Sequence, residues 1–230
     1  ITVKEFLEQW LEETVRPGVR QSTFVRYDSI IRLHIFPYVG GLKLNQLSSS
    51  HIQKFYGFLR QNNRSPRTIQ LVHVLLSKSL NQALRWNNIT ANPCALVSKP
   101  KVLKKSMKFW TAEQLSHFLE LAKKDRLYGL YVLAITSGLR LGELFGLKWT
   151  DLNIDNSTLA IQRTVHDLNG HNRVGEPKTS KGKRNIILPK FAINALEGHA
   201  RAMRSEGITS EWIFCDTIGH PLRRGNFRKR

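Results

Sequence analysis

The chain has 230 residues, 41% of them hydrophobic, enough to bury a core and to divide into two modest domains. Its 36 Lys and Arg against 17 Asp and Glu leave a formal net charge of +19, which makes nucleic acid the leading class of partner, ahead of an anionic membrane surface; a solvated basic surface is the alternative. No apolar run approaches the ~20 residues of a bilayer span. The start, Ile1-Thr2-Val3-Lys4-Glu5, has no signal-peptide pattern, Cys94 and Cys215 form neither a CxxC spacing nor a disulfide framework, and His166 and His171 lack metal-ligand spacing. No metal, cofactor or membrane association is expected.

The first hundred residues carry apolar positions at helical spacing. Thr2-Val3-Lys4-Glu5 has capping-box form and leads into Phe6, Leu7, Trp10 and Leu11, a helix ended by Arg16-Pro17-Gly18. A second helix follows Ser22, with Phe24, Tyr27, Ile30, Ile31 and Leu33 as its apolar side, and should break before Pro37 and Gly40-Gly41. A third begins with a capping box at Ser50-His51-Ile52-Gln53, and a fourth with Ser65-Pro66, continuing through Ile69, Val72, Leu76 and Leu80 to Trp86. The expectation is a four-helix domain over residues 1–92.

Residues 93–108 read as a basic linker carrying Lys99, Lys101, Lys104, Lys105 and Lys108; it either tracks a phosphate backbone or is a solvated hinge. From residue 109 onward a mixed α+β domain is expected. It opens with the capping box Thr111-Ala112-Glu113-Gln114 and a more apolar helix from Leu127 to about Thr136, interrupted by Gly138. A short helix then spans Leu139 to Leu147. β-rich runs follow around Leu152–Asp155, Thr158–Val165 and Arg184–Leu188, with turn signals at Asn169-Gly170 and Ser180-Lys181-Gly182, implying a small antiparallel sheet. A last helix covers about Phe191 to Ser205. The fold class is mainly α with a small antiparallel β-sheet.

Arg140 and Glu143 stand three apart on the short helix, and by spacing alone the pair is a surface ion pair of the ordinary i, i+3 kind. The whole string Thr136-Ser137-Gly138-Leu139-Arg140-Leu141-Gly142-Glu143-Leu144-Phe145-Gly146-Leu147-Lys148-Trp149-Thr150-Asp151-Leu152, however, resembles the first arginine box of the tyrosine recombinases, the phage-integrase family. Phe6 to Leu11, Arg20 to Tyr27 and His34-Ile35-Phe36-Pro37 look like that family's helical, SAM-like core-binding domain. The order of helical domain, basic linker and a catalytic domain introduced by Trp110-Thr111-Ala112-Glu113-Gln114 matches as well.

The resemblance implies site-specific DNA recombination through a covalent 3′-phosphotyrosyl intermediate. It implies double-stranded DNA as partner, tetramers on paired recombination sites, and a cytoplasmic, DNA-associated protein of prokaryotic or phage origin. Arg140 matches the first of two transition-state arginines, a task that suits a planar guanidinium able to donate two parallel hydrogen bonds to phosphate oxygens. Glu143 matches a nearby acidic position that would orient other groups. Glu176-Pro177-Lys178-Thr179-Ser180-Lys181-Gly182-Lys183-Arg184 resembles the hairpin that carries the general-acid lysine; Lys178 is the choice and Lys181 the alternate. A solvated hairpin whose lysines meet only backbone phosphates remains the competing reading.

Arg26, Arg64, Arg67, Lys78, Lys104, Lys105, Lys181 and Lys183 are candidate DNA contacts, with ordinary surface charge the alternative for each. The five tyrosines, Tyr27, Tyr38, Tyr56, Tyr128 and Tyr131, all precede Arg140, so the family's nucleophile and its His-x-x-Arg box are expected outside this chain. His220-Pro221-Leu222-Arg223 satisfies the letters of that box but lacks the companion residues and is taken as accidental. The chain alone is therefore expected to bind DNA without cleaving it. A truncated regulator that only binds DNA is the alternative function, and RNA binding a weaker one.

Overall fold

The computed structural model describes residues 1–98, 101–103, 106–168, 170–177 and 182–229. They form two compact units, Ile1–Met107 and Lys108–Arg230, each with its own hydrophobic core.

The first unit is helical. Val3–Trp10 starts at Thr2, whose hydroxyl accepts from the Glu5 amide while the Glu5 carboxylate accepts from the Thr2 amide, a complete capping box. It continues through a π turn, Leu11–Val15, into Arg16–Gly18. The next rod repeats the device: Gln21–Ile30, a π turn at Ile31–Ile35, then Phe36–Val39. Pro37 does not break this helix as the sequence suggested. In both rods the residue just before proline, Arg16 or Phe36, donates to a carbonyl five residues back, Leu11 or Ile31. The wider turn absorbs the missing proline donor and the ring's clash with the preceding turn, so the rod survives.

The third helix, Ser49–Gln61, is capped by Ser48, two residues earlier than expected. His51 Nδ1 takes the place of the usual Glu or Gln and accepts from the Ser48 amide at 3.2 Å. The fourth, Pro66–Arg85, starts at the Ser65 cap. The apolar stripes of the four rods bury Phe6, Trp10, Ile31, Ile35, Ile52, Tyr56, Val72 and Leu76 almost completely. Large side chains buried to this degree contribute about 1.5–3 kcal/mol each. Cys94 and Val97 join this core, and Asn92 Nδ2 donates to Asn81 Oδ1 at 2.7 Å, so the helical unit's packing runs past residue 92.

The second unit contains helices Ala112–Ala122, Tyr128–Ser137, Leu141–Phe145, Lys190–Ser205 and Arg224–Lys229. Its strands are β1 Leu152–Asn153, β2 Thr158–Ile161, β3 Thr164–Leu168, β4 His171–Gly175 and β5 Arg184–Ile187. The β-rich run Thr158–Val165 is not one strand. It splits at Gln162–Arg163, and its halves enter two antiparallel sheets, β1-β2-β5 and the hairpin β3-β4. Arg163 is turned inward at that break, where Nη1 pairs with the buried Asp151 and also donates to the Gly146 carbonyl at 3.2 Å. The Trp212–Cys215 segment contributes single bridges, Lys148 with Trp212 and Cys215 with Pro221. Among the described residues, no helix is long and apolar enough to cross a membrane.

Candidate active site

The Arg140 segment is set by glycines. Tyr128–Ser137 ends on Gly138, whose φ of +61° and ψ of 20° is the left-handed conformation that a Cβ disfavours. Two residues on, the chain enters the five-residue helix Leu141–Phe145 with Arg140 as its N-cap in extended conformation. Gly142 and Gly146 lie against the β3 segment. A Cβ on Gly142 would stand 2.6 Å from Thr164 Oγ1 and 2.7 Å from the Val165 carbonyl, and one on Gly146 would stand 3.0 Å from the Arg163 carbonyl. This close approach seats the helix, while Leu144, Phe145 and Leu147 anchor it in the core.

Arg140 is therefore a cap residue rather than an interior helical one, and its relation to Glu143 differs from the surface pair that the spacing suggested. Glu143 is 3% exposed, and its Oε2 accepts from the Arg140 backbone amide at 3.1 Å, half of a capping box. Its Oε1 accepts from Arg140 Nη1 at 2.9 Å. The Arg140 side chain remains 78% exposed, so a guanidinium anchored at one nitrogen presents its other donors to solvent.

A third residue completes the group. Arg184, at the start of β5, donates from Nη2 to Glu143 Oε2 at 3.1 Å and from Nη1 to the Gly182 carbonyl at 3.1 Å. Burial works against ionisation of Glu143. The hydrogen bonds from Arg184 and from both the backbone and side chain of Arg140 outweigh it and hold the carboxyl below its ordinary value. One buried carboxylate thus serves two arginines, one half-buried and one projecting outward. Sequence reading missed Arg184, although a signal exists: period-2 alternation puts it on the same face of β5 as the core residues Ile186 and Leu188, where a cation requires a carboxylate.

Lys183 is exposed and pairs with Glu176 at 2.6 Å. Lys178 and Lys181, together with Lys104 and Lys105, lie outside the described residues. In the first unit Arg26, Arg64, Arg67 and Lys78 are all exposed. Lys78 Nζ sits 5.7 Å from the centre of the Tyr27 ring and Arg67 Nη1 bonds Gln70 at 2.6 Å. His220 and Arg223 are both exposed, and the His220 amide is held by Asp216 Oδ1 at 2.9 Å.

The chain spans about 60% of the length of a XerC-like tyrosine recombinase of Caldanaerobacter subterraneus subsp. tengcongensis, to which it is 28% identical over 234 residues and 95% of its own length. It is also 28% identical over 170 residues to the ICEBs1 integrase of Bacillus subtilis, a match covering 73% of this chain and 46% of that protein. In fold it resembles the Tn1549 transposon integrase in complex with transposon right end DNA. That likeness has a TM-score of 0.82 at 20% identity and covers 100% of this chain and 77% of the other. It also resembles a lambda integrase tetramer bound to a Holliday junction, with a TM-score of 0.77 at 21% identity over 100% of this chain and 64% of the other. Residues 2–60 match the family model of the phage integrase N-terminal SAM-like domain, and residues 105–230 match that of the phage integrase family. The chain belongs to the phage integrase family of tyrosine recombinases.

Proposed function

We propose that the full-length protein breaks and rejoins DNA at a specific site by transesterification, with Arg140 binding the scissile phosphate. The observation that carries this reading is the exposed Arg140 guanidinium, tethered to a buried carboxylate that fixes its backbone and one nitrogen. A charge that is fixed before the substrate arrives stabilises a transition state without reorganisation at the moment of reaction. In the reaction a tyrosine oxygen attacks phosphorus, the phosphotyrosyl bond forms at the 3′ side, and the 5′ oxygen leaves with a proton. Lys178, or Lys181 in its place, supplies that proton. Glu143 orients Arg140 and transfers no proton.

Arg26, Arg64, Arg67 and Lys78 of the helical unit, Lys104 and Lys105 of the basic stretch, and Lys181 and Lys183 meet DNA backbone phosphates. A net charge of +19 supports such a role. The basic stretch that ends at Lys108 links the two domains, and the full-length protein works as a tetramer on paired sites. No tyrosine follows Arg140 in this chain, so the chain by itself binds DNA without cleaving it.

The test is incubation of the full-length protein with duplex DNA carrying its site and a nick that traps the cleaved product. A denaturant-stable protein–DNA adduct, lost in Arg140→Ala, is expected. Tight binding without an adduct would instead support the second reading, a regulator that only occupies DNA.

A further inference from the structure

We infer that Arg184 is a positioning residue for Arg140, acting through the Glu143 carboxylate; the inference rests on the phosphate-binding role proposed for Arg140. Glu143 has three rotatable side-chain bonds, and its Oε2 is shared between the Arg140 amide and Arg184 Nη2, each at 3.1 Å. A shared oxygen can serve the cap only if the carboxylate is held in one rotamer, and Arg184 is the one of its two cation partners that the fold itself fixes. The Arg184 backbone pairs with Ile161 in the β2-β5 ladder, and its second nitrogen is tied to the Gly182 carbonyl. The planar guanidinium is thus pinned at two points by different nitrogens, which lysine's single ammonium does not reproduce.

Arg140 contrasts with it in every respect. Its side chain is 78% exposed against 34% for Arg184, and it hangs from a cap at the end of a five-residue helix. Fixed position therefore passes from the sheet through Arg184 to Glu143, and from Glu143 to the backbone and one nitrogen of Arg140. Arg184 needs no contact with the phosphate for this role, which separates it from a second phosphate-binding arginine.

The experiment compares wild type, Arg184→Gln, Glu143→Gln and the double variant in two measurements. In the full-length protein, single-turnover cleavage of the nicked duplex should slow by about 100-fold in Arg184→Gln, the effect of roughly 1 Å of misplacement, while duplex affinity stays within about 3-fold. The acid limb of the cleavage rate should move to higher pH, because Glu143 loses one of the two cations that keep it ionised. The double variant should be no more than about 3-fold slower than the slower single variant, as expected of residues acting through one carboxylate. In the chain described above, hydrogen exchange at the Arg140 amide should quicken by at least about 10-fold in Arg184→Gln.

An unchanged cleavage rate, effects that multiply in the double variant, or unchanged exchange at Arg140 would overturn the inference. If the wild-type protein forms no adduct, the recombinase reading fails by itself. The Arg140 exchange rate still decides the positioning role, faster in support and unchanged against.

Discussion

Replacing Glu143 with Gln removes a charge but almost no volume, which makes it a clean probe of the buried carboxylate. Glu143 accepts three bonds, from the Arg140 amide, Arg140 Nη1 and Arg184 Nη2. The bond from Arg140 Nη1, whose side chain is mostly exposed, adds little, about 0–1 kcal/mol. The cap contact contributes about 1 kcal/mol, and the charge-assisted bond from the half-buried Arg184 about 1.5–3 kcal/mol. Glutamine keeps one acceptor but turns an amide donor toward a guanidinium, and its lower desolvation cost offsets about 1 kcal/mol. The expected loss at pH 7 is about 2–3 kcal/mol, or roughly 10 °C in Tm for a unit of this size.

Urea unfolding read by pulse-labelled hydrogen exchange on peptides of Lys108–Arg230 separates this unit's transition from that of the other. Because the folded carboxyl is held below the ordinary glutamate value of about 4.5, the unfolded chain takes up the proton first as pH falls. The advantage of wild type over Glu143→Gln is therefore full above about pH 4.5 and fades as pH drops through the folded value. A difference under about 1 kcal/mol at pH 7, or one that stays constant from about pH 7 to pH 3, would refute the account.

Arg140→Ala, at a side chain that is mostly exposed, should leave stability within about 1 kcal/mol and lower adduct formation by about 100- to 1000-fold; urea titration and gel assay check the two halves. Gly142→Ala should cost about 1–3 kcal/mol, because its new methyl meets Thr164 and the Val165 carbonyl well inside contact distance; the shift in urea midpoint measures it. His199 is buried, its Nε2 2.8 Å from the Ile213 carbonyl, and burial lowers its tendency to protonate. The unfolded chain binds that proton more readily, so this stability is present above about pH 6.5 and declines below it. His199→Gln should flatten the slope between about pH 7 and pH 5 in pH-dependent urea unfolding. DNA affinity should fall by about 10³- to 10⁵-fold between roughly 50 and 200 mM salt if six to ten phosphates are contacted, as filter binding would record.

The helices of the first unit were legible in the sequence because each is a local object. A capping residue, a 3.6-residue apolar stripe and a stop lie close together in sequence; Thr2 and Ser65 are caps in the structure, and so is Thr111 in the second unit. Pro37 misled that reading, since a π turn that rescues a proline leaves no mark in the apolar pattern. Thr158–Val165 misled it for another reason: a β-rich run does not encode which sheet each half will join.

The Arg140 box was likewise visible as a string, and with it the family. What the string by itself could not decide is how Glu143 is used. Three-residue spacing is common to an exposed ion pair and to a cap bond, and only the burial of Glu143 in the folded unit separates them. Arg184 lies 41 positions from Glu143, and their meeting requires β5 to pair with β2. Composition and local pattern thus determined a basic, two-part chain with an arginine box near its middle. The tertiary structure decided that this arginine is held through a buried carboxylate by a second one, because a long-range contact is fixed by chain topology and not by any nearby residue.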